Sequence, residues 1–130
     1  MTQMISRVSH LTLLVTNQDE ALAYYKDKLG FKIHTDVMFG EMRWLTICTE
    51  QDPNFEVALM KAGPESEAYV GKQGGSYPLF AFETKDCMAT YTALKAKGIS
   101  FDGEPKTESW GTGVSFKDLY GNLMYISQPA

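Results

Sequence analysis

Val8-Ser9-His10-Leu11-Thr12-Leu13-Leu14-Val15 runs almost directly into Asn17-Gln18-Asp19-Glu20, and this junction decides the fold. The first stretch is rich in apolar and branched side chains and reads as a strand. Asn17 is a good helix N-cap, and Glu20 stands three residues on, as in a capping box. Ala21, Leu22, Tyr25 and Leu29 then recur at helical spacing, and Gly30 closes the helix. Phe31 to Asp36 is extended again. The same order returns in the second half. Leu79-Phe80-Ala81-Phe82 reads as a strand, Asp86 as an N-cap, and Met88, Tyr91, Leu94 and Lys95 share a helical face. Gly98 closes that helix, and Ile99 to Phe101 is extended. His10 to Gly30 covers 20 residues and Leu79 to Gly98 covers 19, so one unit is written twice.

Each unit continues in strands. Met42 to Thr49 and Phe55 to Lys61 follow the first helix; Gly111 to Phe116 and Asn122 to Gln128 follow the second. Tyr120-Gly121-Asn122 is the turn between the last two. Each half is therefore β-α-β-β-β. Gly63 to Tyr77, rich in glycine, reads as the connection between halves. The expectation is one α+β domain of paired βαβββ modules, a curved sheet around a cleft. The first module covers about 5–62, the linker about 63–77 and the second module about 78–128. A single module cannot cover both faces of its sheet, whereas two can share a core or a cleft.

The composition agrees with one globular domain of 130 residues, 44% apolar and 22% charged. Twelve basic residues against 16 acidic ones give a net charge of −4, which argues against nucleic acid as a partner. No tract is long and apolar enough to span a bilayer, and MTQMISRVSH lacks the apolar core of a signal peptide. Cys48 and Cys87 have no CxxC partner and fit a reduced, cytoplasmic protein, as buried free thiols.

Strand side chains alternate, and the alternation sorts the candidate site residues. In the first strand Ser9, Leu11, Leu13 and Val15 share the face expected under the helix. Val8, His10, Thr12 and Leu14 point the other way, to the concave side. In Phe55 to Met60 the face of Phe55, Val57 and Leu59 is apolar, and Glu56, Ala58 and Met60 take the other. His10 and Glu56 thus point into the same concavity. They lie 46 positions apart, and counting 46 from Leu79, the repeat equivalent of His10, lands on Tyr125. His10, Glu56, Leu79 and Tyr125 are expected to line one cavity, half polar and half not.

These residues resemble the vicinal oxygen chelate superfamily of glyoxalase I, bleomycin-resistance proteins and extradiol dioxygenases. The matching stretches are Val8 to Val15, Ala23-Tyr24-Tyr25 with Leu29-Gly30-Phe31, and Phe80-Ala81-Phe82. Leu94 to Ile99, Trp110-Gly111 and Phe116-Lys117-Asp118-Leu119-Tyr120-Gly121-Asn122-Leu123 complete the set. The resemblance covers nearly the whole chain and implies paired βαβββ modules, usually dimeric. Metal-dependent members carry His, Glu, His or Gln, and Glu at the four cavity positions. Here only His10 and Glu56 match. Leu79 cannot ligate a metal, and a Tyr125 phenolate is an uncommon ligand outside ferric sites.

Two functional readings stand side by side. One is a metal-independent binder of a small organic molecule, with His10, Thr12, Trp44, Glu56, Ala58, Leu79, Trp110 and Tyr125 as ligand contacts and no cofactor. Trp44 and Trp110 would supply flat walls for a planar ligand. The other is a lyase, isomerase or dioxygenase holding a divalent metal through His10 and Glu56. His10, Glu56 and Tyr125 are the catalytic candidates if a reaction occurs. His10 is otherwise a cavity histidine hydrogen-bonded to Glu56. Arg43 and His34 are expected to be solvated. Gly71-Lys72-Gln73-Gly74-Gly75 lacks the spacing and following helix of a phosphate loop. A homodimer is the expected assembly.

Overall fold

The computed structural model describes residues 4–130. They form two compact units, the first ending at Lys61 and the second running from Ala62 to Ala130. The first contains strand β1 (His10–Val15), helix α1 (Gln18–Ala23) and strands β2 (Lys32–Phe39), β3 (Met42–Cys48) and β4 (Glu56–Lys61). Its sheet order is β1-β4-β3-β2, with β1 and β4 parallel and the other pairs antiparallel. The second contains β5 (Phe80–Glu83), α2 (Cys87–Ala96), β6 (Ser100–Phe101), β7 (Lys106–Glu108), β8 (Gly111–Lys117) and β9 (Leu123–Pro129). Its order is β5-β9-β8-β6, with β7 also paired to β8. In both units the first strand lies parallel to the last, so the α+β reading and the twice-written βαβββ unit hold.

The caps sit where the sequence puts them. Asn17 Oδ1 accepts from the Glu20 N–H at 2.9 Å, and Asp86 Oδ1 from the Ala89 N–H at 3.0 Å. Each satisfies a backbone donor that the first turn leaves free. The first helix departs from the expected regular form. After Ala23 it widens into a π-helical turn, Tyr24–Lys28, in which the Leu29 N–H donates to the Tyr24 carbonyl five residues back. Gly30 then takes φ +82°, and the Phe31 N–H reaches the Tyr25 carbonyl at 2.9 Å, a left-handed C-terminal cap.

Each helix covers one face of its own sheet. Leu13, Val15, Leu45, Ile47, Val57 and Leu59 form the first core with Ala21 and Tyr25 of the helical segment. In the second unit α2 lies on β8 and β9, over Val114, Phe116, Met124 and Ile126. Three expectations shift here. Strand β1 starts at His10, not Val8, and Leu11 and Phe55 at its edge and before β4 are partly exposed. The buried face of α2 runs through Cys87 and Tyr91, while Met88 is exposed, because the Cys87 N–H is anchored by Gln128 Oε1 at 2.8 Å. Strand β7 was not anticipated from Lys106-Thr107-Glu108, three exposed residues with no apolar pattern.

Arg43 is not solvated. Its guanidinium grips Asp36 through Nε and Nη2, both at 2.9 Å, and Asp19 through Nη1 at 2.7 Å. It thereby ties α1 to the edge strand β2. The hydrogen bonds from Arg43 hold the Asp36 carboxyl below its ordinary value. The stability gained is therefore present above the ordinary carboxylate range and lost as the pH falls through the lowered value. Arg43→Met is expected to cost about 1 kcal/mol at pH 7, since the pair is part exposed and two-pronged. That deficit should shrink towards zero near pH 2 in urea melts. A deficit independent of pH would assign the loss to packing of the arginine stem instead.

Gly63 to Tyr77 belongs to the second unit and is a chain of linked turns around a short 3-10 segment, Glu67–Tyr69. The N–H groups of Ser66, Tyr69, Lys72, Gly75 and Tyr77 each bond a carbonyl three residues back. No helix among the described residues is long and apolar enough to cross a membrane.

Candidate functional site

The parallel β1–β4 register sets His10 opposite Glu56 and Thr12 opposite Ala58, on the face away from α1. Thr46 opposes Ala58 from β3, which brings Trp44 and Thr46 onto the same face. Five predicted site residues of the first unit (His10, Thr12, Trp44, Glu56 and Ala58) are thus on one face. The expected His10–Glu56 hydrogen bond is absent. His10 instead holds its Nδ1 3.1 Å from Ser9 Oγ and sets its ring edge-on to Trp44, with centroids 5.1 Å apart.

Glu56 takes other partners. Its Oε1 accepts from the hydroxyl of Thr46 at 2.7 Å, and Thr46 is fully buried. The same oxygen lies 3.1 Å from His34 Nδ1. His34 is exposed, as expected, but a bulge in β2 brings it beside Glu56. Ile33 opposes Ile47 while Thr35 opposes Thr46, so His34 is an extra residue in the strand. A bulge breaks the two-residue alternation and re-aims a side chain. His34 thereby joins the Glu56 face, with its Nδ1 also 2.8 Å from Thr35 Oγ1. No local sequence signal marks the bulge; only the pairing of β2 with β3 reveals it.

Three polar atoms of this face have no hydrogen-bond partner among the described residues: His10 Nε2, His34 Nε2 and Glu56 Oε2. Beside them lies the part-buried indole of Trp44. The face offers acceptors, a flat wall and an apolar floor at Ala58, which is fully buried.

In the second unit Tyr125 pairs with Ala81, and the Leu79 N–H donates to the Leu123 carbonyl. The pairing offset is 46 residues for His10 and Glu56 but 44 for Ala81 and Tyr125. Counting the first unit's spacing onto the second keeps the face and slips by two residues along the strand. Tyr125 lies over Gly113, where any side chain would collide with the phenol and with Trp110. The Trp110 and Tyr125 rings are 6.3 Å apart, and Trp110 is half exposed. Burial pushes the Tyr125 phenol above its ordinary value, helped by Cys87 and Glu108. It remains a neutral hydroxyl at pH 7 rather than an anionic ligand.

The donor set does not fit the metal site of the metal-dependent members. Leu79 offers no donor, Tyr125 keeps its proton, and Glu56 Oε1 already accepts from Thr46. Among the described residues no three His, Cys, Asp or Glu side chains are grouped to hold an ion. Cys48 and Cys87 are buried free thiols whose ionisation is pushed up by burial, so neither is a ready nucleophile.

The profile of the Glyoxalase/Bleomycin resistance protein/Dioxygenase superfamily matches residues 7–126. The chain is 31% identical over 124 residues to an uncharacterized protein of Shewanella frigidimarina (strain NCIMB 400), covering 93% of this chain and 92% of that one. Its fold is similar to the crystal structure of UcmS2, at 34% identity and a TM-score of 0.84, over 95% of this chain and 98% of that one. It is also similar to TnmS3, an antibiotic binding protein from Streptomyces sp. CB03234. There the identity is 26% and the TM-score 0.81, over 99% and 100% of the two chains.

Proposed function

Because the chain belongs to the Glyoxalase/Bleomycin resistance protein/Dioxygenase superfamily, whose fold hosts many activities, we propose that it binds a small organic molecule without a metal. The site is the helix-free face of the first unit. The observation that carries this reading is that His10 Nε2, His34 Nε2 and Glu56 Oε2, all unengaged, share this face with Trp44. Mostly apolar surfaces with a few convergent polar groups are what small-molecule sites look like. The likeness to an antibiotic binding protein supports a binder.

The preferred ligand is planar, apolar at one end and a hydrogen-bond donor at the other. Its ring stacks on Trp44 and its donor end meets the acceptors around Glu56. Leu79, Trp110 and Tyr125 are ligand contacts of the second unit. Metal catalysis through His10 and Glu56 is not proposed, because the donor set is incomplete. The test is a fluorescence-quenching titration with a panel of cationic and neutral aromatics. Glu56→Gln is expected to weaken donor-bearing hits by about tenfold, the worth of one charge-assisted hydrogen bond. Leu79→Ala should weaken them less, through lost apolar contact. If both variants bind every hit as tightly as the parent protein, the site lies elsewhere.

We also propose a homodimer, on the family's habit. Light scattering at micromolar concentration should read about twice the chain mass of 14.5 kDa. A reading of one chain mass would refute it.

A further inference from the structure

The register that turns Trp44 onto the helix-free face does the same for its neighbours towards the β2–β3 hairpin. Across the two strands Thr35 pairs with Thr46, Val37 with Trp44, and Phe39 with Met42. Paired residues point the same way, as do alternate residues along one strand. Thr35, Val37 and Phe39 therefore share this face with Thr46, Trp44 and Met42, while Asp36, Met38 and Arg43 turn to the other. None of the six is charged. Their character changes along the strands. At one end the buried Thr46 hydroxyl donates to Glu56. In the middle stands the indole of Trp44. At the hairpin end Val37, Met42 and Phe39 are 42%, 44% and 62% exposed. Four residues of strand separate Thr46 from Met42, about 13 Å at roughly 3.3 Å per residue. A single aromatic ring on Trp44 leaves the hairpin end bare.

We infer that Val37, Phe39 and Met42 form a tail subsite, and that the ligand carries an apolar chain opposite its donor end, laid along this strip. The inference rests on the binding reading above and changes its ligand class. The ligand is an elongated amphipathic molecule, with a donor at one end of a ring and an aliphatic chain at the other. The strip is continuous with the acceptor end of the proposed site, which fixes the order of donor, ring and chain. Its size also suits a small molecule. Three half-exposed side chains present a few hundred Å² at most, well short of the roughly 800 Å² that each partner gives to a stable protein interface. Met42 is unbranched and adapts to a flexible chain, and the Phe39 ring supplies flat apolar area. The three side chains offer no hydrogen-bond donor, so a polar substituent would be desolvated there without return.

The test compares 4-methylphenol with 4-hexylphenol by isothermal titration at pH 7. A methylene laid on an open face gains about twofold, half the free energy of full burial, so the hexyl probe should bind at least about tenfold more tightly. Phe39→Thr combined with Met42→Thr keeps strand-forming residues in the hairpin and removes the apolar strip. That variant should lose the gain and bind 4-methylphenol as the parent does. Met38→Thr, an exposed residue on the opposite face, should keep the gain. Equal binding of the two phenols by the parent, a gain that survives in the double variant, or a gain lost equally in Met38→Thr overturns the tail subsite and leaves the binding reading intact. A double variant that scatters light as one chain where the parent scatters as two also overturns it, since a second copy then covers the strip. If neither phenol binds the parent, the face is not a ligand site and both readings fall.

Discussion

Phe116→Ala is expected to destabilise the protein by about 3–5 kcal/mol, the cost of emptying a well-packed aromatic site. Phe116 on β8 is fully buried. Its ring is 6.3 Å from Phe82, nearly parallel, and 5.7 Å from Phe101, which in turn packs on Tyr91 of α2. The substitution therefore removes the contact through which both outer strands and the helix of the second unit meet. Urea melts would measure the loss. A loss under about 1 kcal/mol would mean that the core around Phe116 collapses onto the gap, contrary to the close packing described.

Gly71→Ala is the second large effect, at about 2–5 kcal/mol. Gly71 has φ +79°, a conformation that costs other residues about 1–2 kcal/mol. A Cβ there would also run into the backbone carbonyl of Tyr120, which cannot swing aside as a flexible side chain would. Gly30→Ala is the built-in comparison. It has a similar φ of +82° but open space around it, so it should cost only about 1 kcal/mol. Equal losses for the two variants in thermal melts would show that backbone conformation alone, and not the approach to Tyr120, matters at Gly71.

That pair also shows what was legible from residue order. The glycines of Gly71 to Gly75 carry no phosphate-loop spacing, and the structure gives them another task. Gly71 passes the Tyr120 carbonyl, and Gly74 passes the Tyr77 carbonyl, at distances that leave no room for a side chain. The two N-caps, the closing glycines and the alternating strands were readable because each depends on residues close in sequence. Asn17 needs only Glu20 three positions on, and Asp86 only Ala89. The family resemblance rests on the same local stretches.

What stayed hidden depends on pairing between strands. The bulge at His34 arises from a mismatch between β2 and β3, so the approach of this exposed imidazole to Glu56 cannot be read along β2 alone. Arg43 reads as an exposed strand residue until the pairing of β2 with β3 brings Asp36, two residues along from its partner Met38, within reach and α1 supplies Asp19. Glu56 was placed on the right face by its parity with His10, but its partners come from β2 and β3. The 44-residue pairing offset of the second unit, against 46 in the first, likewise cannot be counted before the strands are paired. In each case residues far apart in sequence decide the chemistry of a side chain whose local setting is plain.

The central claim is that the helix-free face of the first unit binds a planar molecule bearing a hydrogen-bond donor with protein groups alone. Its most direct test is a heteronuclear NMR titration with 4-cyanophenol after exhaustive dialysis against EDTA. The account predicts saturable binding whose largest amide shifts fall at His10 to Thr12, His34 and Thr35, Trp44 to Thr46, and Glu56 to Ala58. Binding that appears only when zinc or nickel is restored, or shifts confined to residues away from that face, would contradict it.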